Sequence, residues 1–145
     1  MRPGIDYPAI TIVFFCHDGE GNYLLNKRSS NCRDEHGRWD PGGGRLEQGH
    51  TIEETLSKEI QEEYGTLVID YEPLGMREVF REHGQHKTHW LALDYLVHVD
   101  RSLARNAEPH KFEQIGCFRF SEFPSPMHSQ FPTALEKYGH ILKRQ

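Results

Sequence analysis

Cysteine is scarce in this sequence: three residues in 145. Cys16, Cys32 and Cys117 are odd in number, far apart, and form no C-x-x-C pair. That excludes a disulfide framework and a cysteine-based zinc site, and points to free thiols in a reducing cytosol. Long apolar runs are also lacking. "AITIVFFC" is short and follows Asp6 and Tyr7 rather than a basic cluster, so neither a secretory leader nor a membrane span is expected. A basic excess is missing too. Lys and Arg number 17 against 22 Asp and Glu, a net charge of −5 with pI near 6.0. A general nucleic-acid coat is therefore not expected, because that role favours a basic face. Repeats and linkers are absent. What remains is globular in composition and fits one domain, residues 1–145, with a sizeable core.

The elements follow from pattern. "PAITIVFFC", residues 8–16, is rich in β-branched and aromatic residues and reads as a buried strand. "HDGEGN" is a turn. "YLLNKRS" reads as a second strand of the same hairpin. "SSNCRDEHGRWDPGGG" reads as a loop. Helix signals begin at Thr51, a candidate N-cap with Glu54 three residues on. Ile52, Leu56 and Ile60 form an apolar stripe, and Gly65 suits the stop. Strand-like regions at 67–80 and 88–99 flank "REHGQHKTH", which reads as a hairpin loop. "FEQIGCFRF" is a further strand. "FPTALEKYGHILKRQ" is a closing helix with Pro132 near its start.

The helix carries Glu59, Glu62 and Glu63 at spacings of three and four. They are predicted to point toward one patch, opposite the Ile52/Leu56/Ile60 stripe. Unpaired, like charges at this spacing cost about 0.2–0.5 kcal/mol per pair. A hard divalent cation, Mg²⁺ or Mn²⁺, would reverse the sign, since it prefers carboxylate and carbonyl oxygens. Glycines 42–44 just upstream allow close backbone approach to a ligand. The plain alternative is a solvated acidic face balanced by Lys58.

"GRLEQGHTIEETLSKEIQEEYGT", opening at Gly44, resembles the box of the Nudix hydrolases, G-x5-E-x7-R-E-U-x-E-E-x-G-U. "WDPGGGRLEQG" and "CFRFSEFPSP" also look like that family. Three positions depart: His50 stands for the first Glu, Lys58 for Arg, and Thr66 for the last aliphatic residue. Lys58 keeps the charge without the planar fork. His50 replaces a fixed negative charge with an imidazole, which implies weaker metal affinity or a changed pH optimum. The resemblance implies an α/β fold, a mixed β-sheet sandwiched between helices. It implies hydrolysis of a nucleoside diphosphate linked to another group. Glu59, Glu62, Glu63 and the Gly43 carbonyl would hold Mg²⁺ or Mn²⁺, with Lys58 supporting the glutamates. Glu113 is the candidate late acidic residue facing the metal, and Glu108 a weaker one.

Arg28, Gly44 and Trp39 are the candidate substrate contacts. Arg28 could reach a phosphate or form a surface ion pair. Trp39 could stack on a base, although packing is the commoner role. Phe80 and Trp90 could line a pocket, with core burial the competing reading. His83, His86 and His89 recur at intervals of three, but in a hairpin that spacing does not converge on zinc. The region after the box, "REHGQH", carries neither the Pro nor the Tyr that some subfamilies show. The chain thus looks closer to small nucleoside-triphosphate pyrophosphatases, with ADP-ribose open. A nucleotide is the expected partner, neither a membrane nor a stable nucleic-acid complex is, and a homodimer stays open.

Overall fold

The computed structural model describes all 145 residues, the side chain of His83 excepted. Nine main elements follow in order. They are β1 (Ala9–His17), β2 (Asn22–Arg28), β3 (Trp39–Asp40), β4 (Gly43–Arg45), α1 (Ile52–Tyr64), β5 (Val68–His83), β6 (His86–Val99), β7 (Phe112–Arg119) and α2 (Phe131–Leu142). Short 3₁₀ turns cover Arg101–Leu103 and Phe120–Glu122.

The strands form one mixed sheet of order β3-β2-β1-β6-β5, with β4 also paired to β1 and β7 to β2. β1 runs parallel to β6 from Ala9↔Trp90 to His17↔His98. The β1–β2 hairpin exists, but its register is the pair His17↔Tyr23. Beyond that point the two strands part. β4 takes the edge of β1 from Thr11 to Val13, while β2 pairs with β3 and β7. A cleft opens where they diverge.

Alternation along β1 sends its side chains to two cores. Ile12, Phe14 and Cys16 pack under α1 with Leu56, Ile60 and Tyr64. Phe15 packs under α2 with Tyr23, Phe131, Ala134 and Tyr138. Each large aliphatic side chain buried this way contributes about 1.5–3 kcal/mol. The outcome is the α/β layering expected, with a helix on each face of the sheet.

α1 starts and stops as its sequence predicts. The Thr51 hydroxyl accepts from the Glu54 N–H, and the Glu54 carboxylate accepts from the Thr51 N–H, both at 3.0 Å. Gly65 closes the helix in the left-handed region, φ 66°. Two expectations need correction. The 29–44 loop contains β3 and β4, stitched to β2 and β1. The β5–β6 hairpin turns at Gly84 and Gln85, so 81–83 and 86–89 are strand rather than loop.

Candidate active site

The cleft is a cavity of about 300 Å³. β1 and β6 form its floor through Val13, Phe15, Trp90 and Ala92, and α2 closes one side through Phe131 and Ala134. Six cations line it: Arg28, Arg33, Arg45, Arg77, Arg81 and Lys111. Asp40, Glu63 and glycines 42–44 line it as well.

The glycines and the α1 glutamates are fitted to each other. Gly42 has φ 117°, and a Cβ there would stand 2.8 Å from Glu63 Oε1 and 2.6 Å from Phe14. A Cβ on Gly44 would meet the Glu59 Cδ at 2.3 Å. Only glycine lets both carboxylates reach the loop. The Phe14 N–H donates to the Gly42 C=O, and the Leu46 N–H to the Ile10 C=O. Antiparallel alternation then turns the Gly43 C=O away from β1. Tyr64 pins the loop: its hydroxyl donates to the Pro41 C=O at 2.6 Å and accepts from Asn26 Nδ2 at 3.0 Å.

The three glutamates do not share one exposed patch. Glu63 is 2% exposed, whereas the Glu59 and Glu62 side chains are 15% and 47% exposed. The reason is angular. At about 100° per residue, Glu63 returns to about 20° from Ile52, inside the apolar stripe rather than opposite it. Glu59 borders the stripe and Glu62 lies off it. Burial pushes the Glu63 carboxyl well above its ordinary value; Lys111 opposes this, while Glu59, Asp40 and Glu108 reinforce it. Burial raises Glu59 too, then repulsion from Glu62, against the pull of Lys58. Lys58 lies 3.9 Å from Glu59 and 4.0 Å from Glu62.

Other predicted residues fall differently. Glu113 is half-exposed, 4.0 Å from Lys27 on the neighbouring strand, and does not line the cavity. Glu108 and Lys111 are the residues of that region whose charges act on Glu59 and Glu63. Arg28 lines the cavity and donates to the Asp34 side chain and carbonyl at 3.1 Å. Trp39 is buried, edge-on to Phe118 at 5.2 Å, and belongs to the α2-side core rather than to the cavity. Phe80 is 67% exposed and stacks on His89, which corrects both of its readings. Trp90 does line the cavity. His50 is exposed just before the α1 cap, and its charge acts on Glu54. The histidine triplet includes His83, whose side chain lies outside what the structure describes; His89 pairs with Glu78 at 3.1 Å.

Sequence reading missed Arg77 and Arg81. Arg77 makes two 2.8 Å bonds to buried Asp94, which also accepts from Tyr138 at 2.7 Å. The period-two set Arg77, Val79, Arg81 along β5 was the available signal, since all three face the cavity.

Among the described residues no three His, Cys, Asp or Glu side chains converge as a ready ion site. The oxygen-only donor set still suits a hard cation. One or two carboxylates suffice for Mg²⁺, which keeps water and substrate phosphate in its shell. Glu63 lines the cavity, so its carboxylate borders the space a cation would occupy.

The NUDIX domain profile matches residues 6–138. The chain belongs to the NUDIX family. Divalent cations are the general cofactor of this family. This NUDIX chain is 40% identical over 73 residues to the nucleoside triphosphatase NudI of Salmonella arizonae, covering 49% of this chain and 52% of that protein. NudI of Salmonella agona is 38% identical over the same length. The chain thus spans about half the length of the curated relatives it matches. Among solved structures it resembles a MutT NUDIX hydrolase from Burkholderia pseudomallei, with TM-score 0.78 and 26% identity over 90% of this chain and 98% of that one. The NUDIX domain of Shewanella oneidensis NrtR, complexed with ADP ribose, shares the fold: TM-score 0.73, 15% identity, 94% and 89% coverage.

Proposed function

We propose that this NUDIX chain is a metal-dependent pyrophosphohydrolase acting on a nucleoside triphosphate. The observation that carries the reading is the fit of Glu59 and Glu63 against Gly44 and Gly42 at the rim of a cavity lined by six cations. Burying two carboxylates side by side is costly unless something positive joins them. The cations suit a polyanionic substrate. NudI, a nucleoside triphosphatase, is the relative that suggests the substrate class.

Glu59, Glu63 and the Gly43 carbonyl would hold Mg²⁺ or Mn²⁺, with Glu62 at the exposed edge. When bound, the ion neutralises phosphate charge and lowers the pKa of a coordinated water. Lys58 holds Glu59 and Glu62 in place. Arg28 and Gly44 border the phosphates. Glu108, rather than Glu113, would be the late acidic residue that takes a proton, since its charge acts on Glu59 and Glu63. Catalysis of this kind rests on positioning and electrostatics.

A second reading is favoured by two observations taken together: His50 stands where the family box carries a Glu, and among the described residues no three acidic groups converge. A weakened enzyme that binds nucleotide, with ADP-ribose or a nucleotide sugar as ligand, follows from it. The test is a panel of nucleoside triphosphates, ADP-ribose and nucleotide sugars with Mg²⁺ and with Mn²⁺, on the wild type, Glu63→Gln and His50→Glu. Metal-dependent turnover lost in Glu63→Gln is the expected result. Tight binding without turnover under either metal would refute the enzyme reading, and a His50→Glu gain would locate the weakness.

A further inference from the structure

Five of the six cations around the cavity have a carboxylate within 4.0 Å. Arg28 has Asp34, Arg45 has Glu47, Arg77 has Asp94, Arg81 has Asp34 and Glu35, and Lys111 has Glu108. Among the described residues Arg33 has none, although it stands on the cavity wall between two strongly held segments of its loop.

The loop of residues 29–38 is tied at both ends. At its base, the Ser29 N–H and the Cys32 thiol donate to the Lys111 C=O at 2.8 and 3.1 Å. The Ser29 hydroxyl and Asn31 Nδ2 donate to the His110 C=O at 2.7 and 3.0 Å. At its tip, the Glu35 carboxylate lies 3.2 Å from Arg81 and 3.7 Å from His128, and accepts the Ser129 N–H at 2.5 Å. Glu35 has φ 55°, a left-handed conformation that a non-glycine residue keeps only where its surroundings hold it. The cost of burying Glu35 is outweighed by the Ser129 bond and by His128 and Arg81, so its carboxyl is held below its ordinary value.

These ties also fix where Arg33 stands. Cys32, its neighbour, is bonded to Lys111, and the Lys111 charge acts on both Glu59 and Glu63. Arg33 and Glu63 line the same cavity, which the phosphates of a nucleotide would enter.

We propose that the 29–38 loop is a phosphate clamp: Arg33 binds a phosphate of a nucleoside triphosphate, and Glu35, anchored on Arg81 and Ser129, is the positioning residue that sets its place. The proposal rests on the nucleotide reading above. An arginine fits the role because its guanidinium donates two parallel bonds to a phosphate.

The experiment combines steady-state kinetics with calorimetric binding of inorganic tripolyphosphate. Arg33→Gln is expected to raise KM for a nucleoside triphosphate about five- to tenfold, as loss of one charge-assisted contact implies, with kcat held within about twofold. Tripolyphosphate affinity should fall by the same factor. Glu35→Gln should raise KM in the same direction while leaving Arg33 in the chain. Glu35→Gly, which tolerates φ 55° without strain, should share that KM defect. The double variant Arg33→Gln/Glu35→Gln should be no worse than Arg33→Gln, because one residue acts through the other. A KM and a tripolyphosphate affinity unmoved by Arg33→Gln would overturn the clamp, as would single effects that multiply in the double variant. If no nucleotide is turned over, the hydrolase reading falls, and tripolyphosphate binding decides the clamp by itself.

Discussion

Glu63 is a carboxylate placed where a core residue belongs, so its replacement should strengthen the fold while abolishing the site. Glu63→Gln keeps the shape and removes the charge. The wild-type carboxyl is buried and has its pKa raised by that burial despite Lys111. Removing a charge buried against its desolvation cost returns about 1–3 kcal/mol. For a chain of this size that is about 3–12 °C in Tm, at roughly 3–4 °C per kcal/mol. The pH sign follows from the raised value. Stability linked to Glu63 is fully present below its unfolded pKa, near the ordinary 4.5, and is lost as pH rises through the folded one. The variant should therefore match the wild type near pH 4 and exceed it increasingly toward pH 8, in EDTA. Adding Mg²⁺ should raise the wild type by about 2.7 kcal/mol at one hundred times Kd and the variant far less, shrinking or reversing the difference. Thermal unfolding by circular dichroism across pH 4–8, with and without Mg²⁺, reads all of this. A Glu63→Gln protein less stable than the wild type at pH 8 in EDTA would refute the reasoning.

Gly44→Ala should cut kcat/KM by at least about tenfold, because its Cβ would meet the Glu59 Cδ at 2.3 Å and push that carboxylate off the loop; nucleotide hydrolysis measured beside Tm separates this from unfolding. Arg77→Met should destabilise by about 3–5 kcal/mol in urea titration, since it strands fully buried Asp94 with only the Tyr138 hydroxyl, and Asp94→Leu added to it should recover part of the loss. Trp39→Phe should cost about 1–3 kcal/mol of stability yet leave KM for nucleotide within about twofold, as befits a side chain packed on Phe118 outside the cavity. Glu113→Gln should leave kcat within about twofold across the pH profile, while Glu108→Gln lowers it, because only Glu108 acts on Glu59 and Glu63.

Local signals carried the helices and the long strands. Thr51, Glu54 and Gly65 marked α1 because capping is chemistry within one turn. β1 and β7 were readable from their β-branched and aromatic runs. β3 and β4 were not, because two or three residues of Trp, Asp, Gly and Arg show no alternation; their partners on β2 and β1 make them strands. The same applies to 86–89, where His, Lys and Thr look like a loop until β5 pairs with them residue by residue. Trp39 packs in the core rather than stacking in the cavity, and Phe80 takes neither of its expected places, for a related reason. Hydrophobicity names a candidate for burial, but which face of the sheet a helix covers decides whether it is buried.

The site shows the sharper limit. The glycine loop and the glutamates were legible because box spacing is local, whereas Arg77, Arg81, Glu108 and Lys111 reach the cavity only through the closure of the sheet. The misplaced expectation for Glu63 was avoidable, since the helical period already put it among Ile52, Leu56 and Ile60. A carboxylate on an apolar stripe breaks the pattern that a stable helix would follow, and Glu62, one residue away on the solvated side, shows that the chain had an ordinary position available. A residue that opposes folding in this way requires a compensating interaction in the working state. The Gly42 and Gly44 contacts indicate where that interaction lies: the backbone has given up its side chains to let the two carboxylates touch the loop. Local rules fail at Glu63 and at the glycines together, which is the behaviour expected of a functional centre rather than of a solvated acidic face.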